Sequence, residues 1–173
     1  MIRNEPIELV KITSSHSLEE IARDYNTAFS EGFDVSTEEI SNYLGVSELW
    51  ITRHLKEGIK YLIINAVARR ALATYGDKRF SKLYTYKKKI FHRKAWQTHL
   101  MQHSFIENED GSLTAAKKLP TSLITCTEAA AKYNITRKTV YNLLLLQGRA
   151  TKYVVYGLKK YSTKEVELLL IDM

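Results

Sequence analysis

Twice along this chain a short run of helix-forming residues is stopped by a turn residue, and an apolar residue and a hydroxyl follow at once: Leu44-Gly45-Val46-Ser47 and Tyr133-Asn134-Ile135-Thr136. This spacing constrains the fold more than any other feature. Gly and Asn tolerate the left-handed backbone that a tight turn demands, and Ser and Thr cap the helix that begins next. A small residue precedes each turn, Ser41 and Ala130, where a second helix must cross closely. The packing sets that lock the angle are Ile40, Leu44, Val46 and Ile51 in the first segment, and Ala129, Tyr133, Ile135, Val140 and Leu143 in the second. Each segment therefore reads as two helices joined by a turn.

The rest of the chain can be parsed around these two anchors. Ser17-Leu-Glu-Glu20 has the form of a capping box, and Leu18, Ile21, Ala22, Tyr25 and Phe29 extend a helix to about Ser30, where Gly32 breaks it. Ser36-Thr-Glu-Glu39 repeats the cap ahead of the first turn. Helical spacing is also read from Ile59 to Tyr75, closing at Gly76, and again over Ala95 to His103. Leu83-Tyr-Thr-Tyr86 and Ile90-Phe91, around a lysine run, predict a strand or short hairpin. After the second turn, Thr136 to Leu146 predicts a helix, and Tyr153-Val-Val-Tyr156, Gly157 and Leu158 to Tyr161 a tight hairpin. Ser162 or Thr163 then caps a closing helix.

Laid on each other, the halves match Ser41 with Ala130, Ile51 with Val140 and Leu55 with Leu144 at an offset of 89, and Lys89-Ile-Phe91 with Lys159-Lys-Tyr161 at an offset of 70. The expected fold is mainly α with short β-hairpins, as tandem winged helix-turn-helix domains. An N-terminal domain spans 1–106 with extra helices and a basic strand element, a linker 107–120, and a C-terminal domain 121–173. The linker assignment rests on Asn108, Asp110, Gly111 and Pro120 in a stretch of little apolar content.

At 173 residues the chain can build two small cores without metals or disulfides, and its single cysteine, Cys126, excludes an intramolecular disulfide. With no charged-then-apolar leader, a reducing cytoplasm is the expected compartment. The apolar runs Tyr61–Ala68 and Leu143–Leu146 are too short to cross a bilayer. The net charge of +7 is unevenly spread. Residues 1–76 carry 8 basic and 11 acidic groups, 77–106 carry 8 and 1, and 107–173 carry 10 and 7. The densest part, Lys87-Lys88-Lys89 with Arg93-Lys94, is interleaved with Tyr84, Tyr86, Phe91 and Trp96, which suits a folded basic surface rather than a disordered tail.

A helix that follows such a turn offers its early outward positions to a DNA major groove, which accepts one helix. In the first segment these positions are Ser47, Glu48, Thr52, Arg53 and Lys56; in the second they are Thr136, Arg137, Lys138, Thr139, Tyr141 and Asn142. The second set is the better reader. Arg137 suits a bidentate bond to guanine and Asn142 a pair with adenine, while Thr136 and Tyr141 suit phosphate. Glu48 is tolerable only opposite a cytosine amine or away from the duplex. Lys87, Lys88, Lys89 and Arg93, and in the second half Lys152, Lys159 and Lys160, would lie on wings and neutralise phosphate.

The run Thr127-Glu-Ala-Ala-Ala-Lys-Tyr-Asn-Ile-Thr-Arg-Lys-Thr-Val-Tyr-Asn142, with Gln147-Gly-Arg149 and Lys159-Lys-Tyr-Ser-Thr-Lys-Glu-Val166, resembles the winged helix-turn-helix of phage excisionases and of MerR-type DNA-binding domains. The resemblance covers roughly the last fifty residues. It implies major-groove reading by the second helix and backbone or minor-groove contact by the wing, carried over to Arg137, Lys138, Tyr141, Lys159 and Lys160. The long dimerising helix of MerR regulators has no counterpart here, so the resemblance implies no effector-sensing role.

Other readings are plainer. His99 and His103 sit four apart, yet no acidic or cysteine ligand is suitably spaced for a metal, and face histidines are the expectation. Trp50 reads as core before it reads as a contact residue. The lysine run also reads as a solvated strand edge that resists aggregation. Tyr84 and Tyr86 lack the arginine and histidine set of a recombinase nucleophile, and no phosphate loop or catalytic triad stands out. The expected function is sequence-specific binding of double-stranded DNA by a phage or mobile-element regulator or an origin or architectural factor. It would be no enzyme, use no cofactor, and work as a homodimer or with a host or phage protein. The alternative is an assembly subunit, such as the recognition part of a DNA-packaging machine, or an inhibitor of a host protein; the acidic first 76 residues favour it for the N-terminal part.

Overall fold

The computed structural model describes residues 6–7, 17–55, 59–76, 88–146 and 150–171. Residues up to His99 form one compact unit and those from Leu100 another, with Tyr43–Gly45 counted in the second.

The first unit runs β1 (Pro6–Ile7), α1 (Leu18–Ser30), β2 (Phe33–Ser36), α2 (Thr37–Leu44), α3 (Glu48–His54), β3 (Tyr61–Ile64), α4 (Ala66–Tyr75) and β4 (Lys88–His92), and α5 (Arg93–Gln102) follows without a break. The Ser17 hydroxyl accepts the Glu20 N–H at 3.2 Å, so the capping box starts α1 where its residues require. Ile21, Ala22, Tyr25, Ala28 and Phe29 then recur at helical spacing and are buried against Ala68, Ala71 and Leu72 of α4 and against Leu62, Ile64 and Ile90 of the sheet. Strand order is β1-β3-β4-β2, with β1 parallel to β3 and the other pairs antiparallel.

The second unit runs β5 (Ser104–Glu107), β6 (Leu113–Ala115), β7 (Leu123–Ile124), α6 (Cys126–Tyr133), α7 (Arg137–Tyr141), a wider π-type turn (Asn142–Leu146), β8 (Tyr153–Val155), β9 (Leu158–Ser162) and α8 (Thr163–Ile171). Its sheet is antiparallel in the order β6-β5-β8-β9-β7. Tyr156 and Gly157 join β8 to β9 with φ of 51° and 76°, the two left-handed residues that a two-residue hairpin turn requires. Ile124, Ala129, Val140, Leu144, Tyr161 and Val166 form the core.

One path recurs in both units: strand, helix, turn, helix, two strands, helix. It is β2-α2-α3-β3-β4-α5 in the first, with α4 inserted between β3 and β4, and β7-α6-α7-β8-β9-α8 in the second. The recurrence extends to individual bonds. Ser36 and Thr125 accept the N–H three residues on at 3.1 Å, and so do Ser47 and Thr136. Gly45 and Asn134 turn with φ of 66° and 52°. The next amide bonds back to the small residue, Val46 to Ser41 at 3.2 Å and Ile135 to Ala130 at 3.1 Å. Val35 pairs with Phe91 across the sheet, as Ile124 pairs with Tyr161.

Several expectations need correction. The chain is mixed α/β rather than mainly α. Tyr61–Ile64, expected as helix, is a strand, because Tyr61, Ile63 and Ile64 favour extended backbone and pair with β4, and Asn65 starts the helix by accepting the Ala68 N–H at 2.8 Å. The apolar face of α4 packs against α1. The stretch 107–120, expected as a linker, carries β6. The helix expected over 136–146 loosens to a π-type turn after Tyr141. The Leu83–Tyr86 strand expectation lies outside the described residues.

Candidate nucleic-acid interface

The second unit brings most of its expected contact residues to the surface. Asn134 ends α6 in the left-handed conformation, and Thr136 caps α7, so Arg137 and Lys138 fall on the first turn of that helix and are exposed. Tyr141 is 48% exposed one turn later. Thr136 and Thr139 share a hydroxyl–hydroxyl bond of 2.7 Å, which holds the cap and leaves one proton for an outside acceptor. Asn142 is half-buried at the start of the π-type turn.

The β8–β9 hairpin, expected as a wing, is less generous than the sequence suggested. Lys159 is exposed on β9, but Lys160 is 4% exposed, and its ammonium lies 3.9 Å from Glu128 Oε1. Successive strand residues face opposite ways, so two adjacent lysines cannot both face solvent on a half-buried strand. Lys160 takes the sheet position that buried Ile90 takes in the first unit. Burial pulls its ammonium below the usual lysine range, and Glu128 only partly offsets this. Lys152 is bound to Glu107, and that bond holds the Glu107 carboxyl below the usual carboxylate range, with Lys159 adding to the effect. Lys160 is therefore corrected to a buried structural lysine, and Lys152 to a paired one.

The first unit spends more of its polar atoms on itself. Ser47 caps α3, and the Thr52 hydroxyl donates to the Glu48 carbonyl at 3.2 Å. Arg53 is exposed beside Leu49, which is 57% exposed, and Trp50 stacks on His54 with ring centroids 4.3 Å apart. Lys88 pairs through its backbone with Ile64, and the Lys89 ammonium lies 4.9 Å from the Tyr61 ring centroid, within cation–π range. Arg93 was expected as a wing cation. Its guanidinium is bonded to Asp34 at 2.8 Å and Glu39 at 3.3 Å, because β2 and α2 bring two carboxylates to the start of α5. Lys56 and Lys87 lie outside the described residues.

One residue that sequence reasoning missed belongs with α7. Lys132 on α6 is exposed with its ammonium 5.5 Å from the Tyr133 ring. Its place two residues before the turn was a readable signal. Among the described residues, no carboxylate lies within ion-pair distance of Lys132, Arg137, Lys138 or Lys159. Among the described residues there is also no cluster suited to a metal ion, His99 and His103 included, and no helix is long and apolar enough to cross a membrane. His103 instead stacks on Tyr156 at 4.9 Å. No family model, curated protein or solved structure matches the chain.

Proposed function

We propose that this chain is a sequence-specific double-stranded DNA-binding protein built from two winged helix-turn-helix units, with the second unit as the reader. The observation that carries the reading is the pair Arg137 and Lys138, exposed on the first turn of α7 directly after a left-handed turn and free of ion pairs among the described residues. A guanidinium at that position presents a fork that matches the guanine edge, and the neighbouring lysine adds phosphate neutralisation. Lys132 and Lys159 extend the cationic surface on either side in sequence. The recurrent strand–helix–turn–helix–strand–strand–helix path and the resemblance to excisionase and MerR-type domains support the same assignment. A phage or mobile-element regulator, or an origin or architectural factor, is the setting that this resemblance suggests.

The test is selection of randomised duplex DNA by the purified protein at near-physiological salt, with Arg137→Ala alongside. A recovered motif that relaxes at one position in the variant supports the reading. In a titration against salt, neutralising Lys138 should lower the slope by roughly one, as for one lost phosphate contact, whereas Arg137→Ala relaxes the motif. Failure to recover a motif, with binding lost at modest salt, rejects sequence-specific recognition. For the first unit a second reading has its own support: α3 exposes Leu49 and Glu48 beside Arg53, a surface better suited to a protein partner than to a phosphate backbone.

A further inference from the structure

The first unit contains a cavity of about 310 Å³ behind α3. Ile51, Leu55, Tyr61 and Phe91 supply apolar wall, and Thr37, Thr52 and Lys89 supply the polar groups. Ile51, Leu55, Tyr61 and Phe91 are 8% exposed or less, so the wall is set by the core of the unit and needs no rearrangement to exist. An apolar cavity of about 150 Å³ takes a benzene molecule. Twice that volume takes an aromatic ring with a short polar arm, or a small fused ring system.

The polar groups decide what the arm must be. No carboxylate lies within ion-pair distance of the Lys89 ammonium among the described residues; it rests 4.9 Å from the Tyr61 ring centroid. The ring face holds the ammonium in place, and its protons on the other side are open to an anion. The hydroxyl of Thr37 donates to the Lys89 carbonyl at 3.4 Å and that of Thr52 to the Glu48 carbonyl at 3.2 Å. Both hydroxyl protons are thus spent within the protein, which leaves the Lys89 ammonium as the lining group that decides the arm. At the corresponding positions of the second unit stand Cys126, Tyr141 and Tyr161, and there the Tyr161 hydroxyl is pushed up first by burial and then by Cys126. Phe91 has no such hydroxyl, and Thr52 is far smaller than Tyr141, so the open wall belongs to the first unit.

We propose that this cavity binds a small aromatic carboxylate, its ring against Phe91 and Leu55 and its carboxylate on Lys89. The site touches α3 through Ile51 and Thr52 and the sheet through Tyr61 and Lys89, and it stands independently of whether the second unit reads DNA.

The experiment uses the full-length protein with benzoate and indole-3-acetate as probes and their neutral amides as controls, followed by saturation-transfer NMR and by thermal shift. Expected are saturable binding of at least one carboxylate, a rise in melting temperature, and binding of its amide weaker by about tenfold or more. Lys89→Met, which keeps the stem and removes the charge, should weaken carboxylate binding by about tenfold. Thr52→Leu should block the cavity from an exposed position, and circular dichroism checks that both variants fold. Absence of saturable binding by either carboxylate, equal binding of carboxylate and amide, or unchanged affinity in Lys89→Met overturns the proposal.

Discussion

The two units share a path, a set of caps and a pair of left-handed turns, yet they dispose of their charges in opposite ways. In the first, Arg93 is tied to Asp34 and Glu39, Lys89 lies against Tyr61, and α3 shows Glu48 and Leu49 to solvent. In the second, Arg137 and Lys138 stand on α7 without an ion pair among the described residues, and acidic residues are used on Lys152 and Lys160. Packing explains the common part, because Ile51 and Val140, Leu55 and Leu144, and Phe91 and Tyr161 are buried at matching positions. The exposed part follows no such constraint. A scaffold of this kind therefore settles where a helix is presented, and the side chains left without partners settle what it can meet.

The largest effects should appear in what the units share. Ile51→Ala removes a 2% exposed side chain from between the helices and is expected to cost about 3 kcal/mol; Val140→Ala, at 0% exposure, removes less volume and is expected to cost roughly 2 kcal/mol. Urea unfolding followed by circular dichroism measures both. If either substitution is nearly neutral, the matched positions do not play matched roles and the comparison fails at its base. Next in size is the contrast between the turning helices. Arg137→Ala is expected to weaken specific DNA binding by about 2 kcal/mol, roughly thirtyfold, whereas Arg53→Ala in the first unit should change it by less than about threefold. Equal losses, read by fluorescence anisotropy on a selected duplex, would make both units readers.

Legibility in the sequence divided along the same line. Hydroxyl caps, turn residues and apolar spacing are local, and Ser17, Ser36, Ser47 and Thr136 cap where the sequence placed them. Short strands were harder to see, since Leu123–Ile124 and Leu113–Ala115 have too few residues to show a period and exist through partners distant in the chain. The contact residues were legible as types but not as states. Lys159 and Lys160 look alike in a sequence; the pleat of β9 sends one to solvent and the other into the protein. Arg93 looked free because Asp34 and Glu39 lie more than fifty residues away.

Lys160 offers a smaller effect with a definite sign. It stands where the first unit has Ile90, so Lys160→Met replaces a poorly compensated buried charge with an apolar side chain of similar length. The variant is expected to be neutral or more stable by about 1 kcal/mol at neutral pH, with DNA affinity unchanged. Burial lowers the folded-state pKa of Lys160 below the unfolded value of 10.5. Between the two values the unfolded chain binds the extra proton, so the penalty is fully present below the folded pKa and is relieved as pH rises toward 10.5. The stability advantage of the variant should accordingly shrink with alkaline pH. An advantage that stays constant across that range would mean that the ammonium is well solvated, and Lys160 would return to the wing surface.

The smallest effect isolates one ion pair. In the second unit Glu107 holds Lys152 just before β8, which leaves Lys159 as the exposed lysine of the β8–β9 hairpin. Glu107→Gln should release the Lys152 ammonium to solvent and add up to about one to the salt slope of DNA binding, with a rise in affinity of a fewfold at low salt. The same substitution has a consequence in acid. The Glu107 carboxyl titrates below its usual 4.5, mainly through its bond to Lys152, so its contribution to stability is present above 4.5 and is lost as pH falls through the lower folded value. Glu107→Gln should flatten the acid limb of the stability curve by that contribution while it steepens the salt dependence. A flattened acid limb with an unchanged salt slope would show that Lys152 points away from the duplex, and the reading surface of the second unit would then rest on Lys132, Arg137, Lys138 and Lys159.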